Sequence, residues 1–190
     1  MNIFKRVNFT NTKEKINLNN NFILGKDETL LPKFTRIFGT KYSVNIYYIK
    51  TEKPELNLTE NCINIHLPMN YRKRNNQDLL DVILLKMYTK IAENEIENVM
   101  EKARHTFGFA PEDYEIKKMT STLATCNKDT QSILINPYLV MYSKEIVEYV
   151  VFHQFCHLKY KTHSKKFYDM LKKYVPNYET LARQLPNLKY

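Results

Sequence analysis

The sequence predicts an α+β fold: a small, mainly antiparallel sheet first, then a long helix and a group of C-terminal helices. Three observations carry that expectation. Short segments before residue 68 alternate apolar and polar residues with a period of two. The stretch from Asp78 to about Thr106 instead repeats its apolar residues every three or four positions. After residue 143, serine caps introduce further helices.

Residues 1–36 are polar and weakly patterned, with one candidate strand at Phe22-Ile23-Leu24, and are read as an N-terminal appendage of the domain that fills 37–190. Val44, Ile46 and Tyr48 alternate with Ser43, Asn45 and Tyr47, which predicts a strand over Tyr42–Ile49. Cys62 to Leu67 alternates again and stops at Pro68, and Glu52 to Glu60 reads as a hairpin-like connection. The long helix follows, with Leu80, Leu84, Met87, Ile91, Ile96, Val99, Ala103 and Phe107 on its apolar side. Gly108 and Pro111 end it. Three short strands are expected at Tyr114–Met119, Thr122–Cys126 and Ser132–Ile135, with Asn127-Lys128-Asp129-Thr130 as the turn between the last two.

Ser143 caps a helix running through His153 to about Lys159, with Glu145 in its first turn to suit the helix dipole. A further helix opens at Ser164, placing Phe167, Met170, Leu171 and Tyr174 inward and four lysines outward. Pro176-Asn177 closes it and caps a last helix over Tyr178–Leu185.

Composition excludes several classes. Hydrophobic residues make up 43% and charged residues 26%, which is globular rather than disordered. No stretch approaches the roughly 18 apolar residues of a membrane span, and no apolar segment follows the basic residues at the N-terminus. Cys62, Cys126 and Cys156 are odd in number and show no paired spacing, as expected of reduced thiols in the cytoplasm. The net charge of +9 admits nucleic acid as a partner, although a solvated lysine face explains it as well.

Of five histidines, three fall close together at His153, His157 and His163. Two histidines four apart on a helix share one face, one turn apart, so two imidazoles reach one Zn²⁺. Leu158 to Thr162 lets the chain leave the helix and return His163 as a third ligand. Three protein ligands leave a position for water, the arrangement of a catalytic zinc site. Such spacing also arises by chance, most often when only two histidines are involved. The zincin box is His-Glu-x-x-His, with glutamate as general base. Here it reads His153-Gln154-Phe155-Cys156-His157, and the amide of Gln154 cannot accept a proton near neutral pH.

At these residues the chain resembles the YgjP-like metal-dependent hydrolases, a branch of the SprT-type zincin metallopeptidases. The matching segments are Tyr149-Val150-Val151-Phe152-His153, His157-Leu158, His163-Ser164-Lys165-Lys166-Phe167 and Val175-Pro176-Asn177-Tyr178, with Phe38 to Tyr42 and Ile133 to Asn136 upstream. The resemblance implies a zincin-like fold, His153, His157 and His163 as zinc ligands, Gln154 at the base position, and a peptide or protein substrate. Thr122 to Cys126 departs from the family's Arg-Trp-Gly-Ser-Cys, matching only at Cys126.

Other side chains are weaker candidates. Cys156 is expected to pack inward, His66 and His105 to be ordinary strand and helix residues, and Tyr160 and Tyr168 to pack rather than donate to an oxyanion. Glu148 is placed to support the metal site from outside its ligands. Two functions lead: a zinc-dependent peptidase-like hydrolase weakened by Gln154, or an inactive zinc-binding scaffold that meets nucleic acid or protein through its basic faces. A basic nucleic-acid-binding module without metal ranks last, since it requires the histidine spacing to be accidental.

Overall fold

The computed structural model describes residues 34–73 and 75–185. The candidate strand at Phe22-Ile23-Leu24 lies outside them. The chain divides after Met87 into two compact units.

In the first unit, β1 (Phe34–Ile37), β2 (Thr40–Ile49), β3 (Glu55–Leu58) and β4 (Cys62–Pro68) form a sheet in the order β1-β2-β4-β3. The β1–β2 hairpin turns at Phe38 and Gly39, with φ of 50° and 80°. Positive φ at both turn residues suits the right-handed twist of the flanking strands, and glycine tolerates it without strain. β2 pairs parallel with β4, whereas β3 pairs antiparallel with it. The segment 52–60 is therefore not a hairpin between β2 and β4. It is a crossover that contains β3, and the tight reversal falls between β3 and β4. Glu55-Leu56-Asn57-Leu58 is too short to carry a periodic signal of its own. The face holding Ile63, Ile65, Leu67 and Leu56 is buried. The opposite face aligns Asn45, Asn64 and Asn57 in one row.

Helix α1 (Gln77–Phe107) begins in the first unit and ends in the second. All eight apolar positions expected to face inward are buried. Gly108 closes it in the left-handed region at φ 72°, its N–H donating to the carbonyl of Arg104 at 3.0 Å.

In the second unit, β5 (Asp113–Ile116), β6 (Ala124–Asn127) and β7 (Ser132–Ile135) form a sheet in the order β5-β7-β6. β5 and β7 are parallel, β6 and β7 antiparallel. The described strands thus form two small mixed sheets, with antiparallel pairs outnumbering parallel ones. The β6–β7 turn is held by Asn127, whose Oδ1 accepts from the N–H groups of Asp129 and Thr130.

Helices α2 (Lys144–Lys159), α3 (Lys165–Tyr174) and α4 (Tyr178–Arg183) complete the unit. Ser143 and Ser164 cap α2 and α3, each hydroxyl accepting an N–H three residues on. Asn177 precedes α4 but makes no side-chain cap bond. β6, α3 and α4 pack against α2. Phe107, at the end of α1, is the hub of an aromatic cluster with Phe152, Phe155 and Tyr174, at centroid distances of 5.2, 5.5 and 4.5 Å. Two ion pairs bind the same helices: Lys144 to the buried Glu95 at 2.8 Å, and Lys102 to Glu148 at 2.6 Å. Among the described residues no helix is long and apolar enough to cross a membrane.

The burial pattern of α1 makes a direct prediction. Ile96 is fully buried and Val82 is 47% exposed. Ile96→Ala should cost about 2–4 kcal/mol in urea unfolding, whereas Val82→Ala should stay within about 0.5 kcal/mol of the parent protein. Equal costs would contradict the assigned face.

Candidate metal centre

Helix α2 is buried almost all round, with Val147, Val150, Val151, Phe152, Phe155 and Cys156 inside. Two polar residues, His153 and Gln154, share that burial, being 2% and 1% exposed. A buried imidazole needs a partner, because desolvating a polar group without one costs more than most packing gains.

The partners of His153 include two other histidines. His157 lies one turn along α2, and the chain leaves the helix through Tyr160 to bring in His163 just before the cap of α3. The three Nε2 atoms form a near-equilateral triangle, with sides of 3.1, 3.0 and 3.1 Å. A ring N–H points along one line in its ring plane, so it cannot bond two neighbours at once. A shared cation satisfies all three. An ion held tetrahedrally by imidazoles at about 2.0–2.1 Å sets its donors about 3.3 Å apart, close to what these side chains present. The three residues are able to hold a metal ion, His153 being buried, His157 half-buried and His163 exposed.

The surroundings orient the rings. Nδ1 of His157 lies 3.1 Å from the carbonyl oxygen of Tyr160. That carbonyl can only accept, so Nδ1 carries the proton and Nε2 keeps its lone pair for a metal. Phe167, fully buried in the first turn of α3, packs against all three imidazoles at centroid distances of 4.9, 4.7 and 4.7 Å. Tyr149 stands edge-on to His153 at 5.9 Å, and the ring of Tyr168 lies 5.8 Å from that of His163. The C-terminal end of α2 is fixed by the β6–β7 turn. Lys128 donates to the carbonyl of Lys159 at 2.7 Å, and Gln131 donates to that of Leu158.

Burial lowers the basicity of all three histidines. It acts first on His153, whose pKa falls to about 2, with the neighbouring His157 and His163 adding to the effect. Burial also lowers His157, partly offset by the Tyr160 carbonyl, and lowers His163. The imidazoles are therefore neutral near pH 7, the state in which they bind metal.

The structure brings His153, His157 and His163 together and keeps Gln154 on the same helix, flanking them. It does not bring Glu148 in, because its carboxylate is taken by Lys102. Cys156 is fully buried and its thiol is pushed up to about 12 by burial, so it packs and does not react. Burial also pushes Cys126, on β6, up to about 11. His105 pairs with Glu101, and His66 sits beside Asn57 in the first unit. The Tyr160 carbonyl carries no residue-type signal, since any residue supplies one. Phe167 is visible in the sequence only as an inward position.

A neutral three-histidine cluster, two of its members on a buried, capped helix, gives this α+β protein a site able to hold a metal ion. The chain belongs to the YgjP-like metallopeptidase domain family, whose family model matches residues 10–188. No curated protein matches it. Among solved structures it is similar to the metallopeptidase zymogen of Pyrococcus abyssi abylysin, at 21% identity and a TM-score of 0.44, covering 47% of this chain and 90% of that one. It is also similar to the metallopeptidase zymogen of Methanocaldococcus jannaschii jannalysin, at 23% identity and a TM-score of 0.42, covering 47% and 88%.

The lowered basicity sets the pH response of the metal-free protein. The unfolded chain protonates histidine near 6.5, whereas folded His153 resists protonation to about pH 2. Below 6.5 the unfolded state binds more protons, so stability falls as pH drops, by up to about 1.4 kcal/mol per pH unit from His153. Urea midpoints in chelator should fall from pH 7.5 to 5.5, and His153→Asn should flatten that trend. A wild-type midpoint that does not move would contradict the burial of these rings.

Proposed function

We propose that this protein is a zinc-binding, peptidase-like member of its family, with His153, His157 and His163 as ligands and hydrolysis weakened by Gln154 at the general-base position. The observation that carries this reading is the triangle of Nε2 atoms at 3.0–3.1 Å. Three imidazole ligands suit zinc and leave a position for water or a substrate carbonyl. When bound, zinc supplies Lewis-acid polarisation of that carbonyl and a more acidic water.

The chain's own residues do the rest. His157 is oriented by the Tyr160 carbonyl, and Phe167 shields the rings from solvent on one side. Gln154 is able to orient a water by hydrogen bonding but cannot take its proton. Loss of a general base costs roughly 10²–10⁴-fold in rate.

Purified protein should therefore hold about one equivalent of zinc, removable by chelator and lost in His157→Ala. Less than about half an equivalent, with no gain when zinc is added, would sink the reading. Gln154→Glu should raise peptide hydrolysis by roughly 10²–10⁴-fold with zinc content unchanged. Equal activity in both proteins would mean that another group supplies the base.

A second reading, an inactive zinc scaffold that binds nucleic acid, is favoured by one observation. Lys165, Lys166, Lys172 and Lys173 are all exposed on α3, while Phe167 and Leu171 of the same helix are buried. Such binding would weaken steeply with added salt. No shift of single- or double-stranded DNA or RNA at low salt would remove it.

A further inference from the structure

We infer that Gln154 turns the histidine centre into a receptor for a carboxylate, the amide of Gln154 donating a hydrogen bond to the bound anion. The inference rests on the reading that His153, His157 and His163 hold a metal. Its starting point is a buried atom. Gln154 is 1% exposed, and its Nε2 has no hydrogen-bond partner among the described residues. An amide donor left unmatched in the interior costs about 1–3 kcal/mol. Nε2 only donates, so whatever satisfies it must present an acceptor, as a carboxylate oxygen does.

Residue 154 follows His153 and precedes His157 by three on α2, beside the face on which the imidazoles converge. The cluster itself consists of three histidines with no carboxylate among them. Neutral imidazoles do not offset the charge of a divalent ion, so the loaded centre is cationic and favours an anion. A glutamate at 154 would oppose a carboxylate ligand by like-charge repulsion. The amide replaces that repulsion with a donor, and hydrogen bonds to charged acceptors are the stronger kind. One open metal position and one donor group suit the two oxygens of a carboxylate. The ligand class is thus a small carboxylate or the C-terminus of a peptide, the latter being the group that peptide hydrolysis releases.

Cobalt-loaded protein provides a readout independent of activity, the visible absorption of the metal as ligand is added. Wild type, Gln154→Glu and Gln154→Met are loaded with Co²⁺ and their stoichiometry is measured first. Each is then titrated with acetate, N-acetyl-Ala-Ala acid and N-acetyl-Ala-Ala amide. Wild type should respond to the acids, with binding weakened roughly tenfold or more in both variants, most in Gln154→Glu. Tighter binding of the peptide acid than of acetate identifies a peptide C-terminus, and equal binding identifies a free carboxylate. Equal or tighter binding by Gln154→Glu overturns the inference, as does full cobalt loading with no response to either acid. Equal binding of the amide overturns it as well. Failure of wild type to take up cobalt overturns the metal reading, and this inference with it.

Discussion

Burial of a helix that carries histidines is the constraint from which the second unit is built. α2 is enclosed by β6, α3 and α4, and its interior residues are almost wholly removed from water. Apolar side chains gain from that enclosure in proportion to area. His153 does not, and at 2% exposure its Nε2 gains from partners that replace water. Part of the answer is local, since His157 is one turn away. The rest requires the chain to turn back, and that requirement shapes the path from Tyr160 to Ser164.

The turn back is specified by several weak devices acting together. The N–H of Tyr160 bonds the carbonyl of Cys156, and the Tyr160 carbonyl in turn fixes His157. Lys128 and Gln131 occupy the last carbonyls of α2, so the helix ends where His163 has room to approach. Ser164 then starts α3 at once, which sets Phe167 beneath the three rings. Each bond is worth about 1 kcal/mol, but their combination leaves the loop little freedom. Electrostatic ties at the other end of α2, through Lys144 and Glu95, hold its first turn against α1.

Much of this was legible in the residues because it depends on period and spacing. The eight apolar positions of α1, the serine caps and the four-residue step between His153 and His157 are local patterns. Each has a direct geometric meaning. What was not legible depends on partners far away in sequence. β1 and β3 are too short to show periodicity, and the parallel pairing of β2 with β4 has no local signature. Glu148 offered itself as support for the histidines, but Lys102 claims it from α1. The backbone carbonyl that orients His157 was invisible for a simpler reason: every residue has one.

On the proposed reading, Gln154 separates two properties that usually travel together. Holding a metal needs converging neutral nitrogens, which burial and the Tyr160 carbonyl provide without reference to residue 154. Activating water needs a nearby group that accepts a proton, and an amide does not. Glutamine nearly matches glutamate in size, so the packing of α2 tolerates the exchange. A buried carboxylate would also carry a desolvation penalty that an amide avoids. The fold and the metal-ready histidines are therefore compatible with an amide in place of a base at 154. On that reading the chemistry at this centre turns on Gln154, whose buried Nε2 has no hydrogen-bond partner among the described residues.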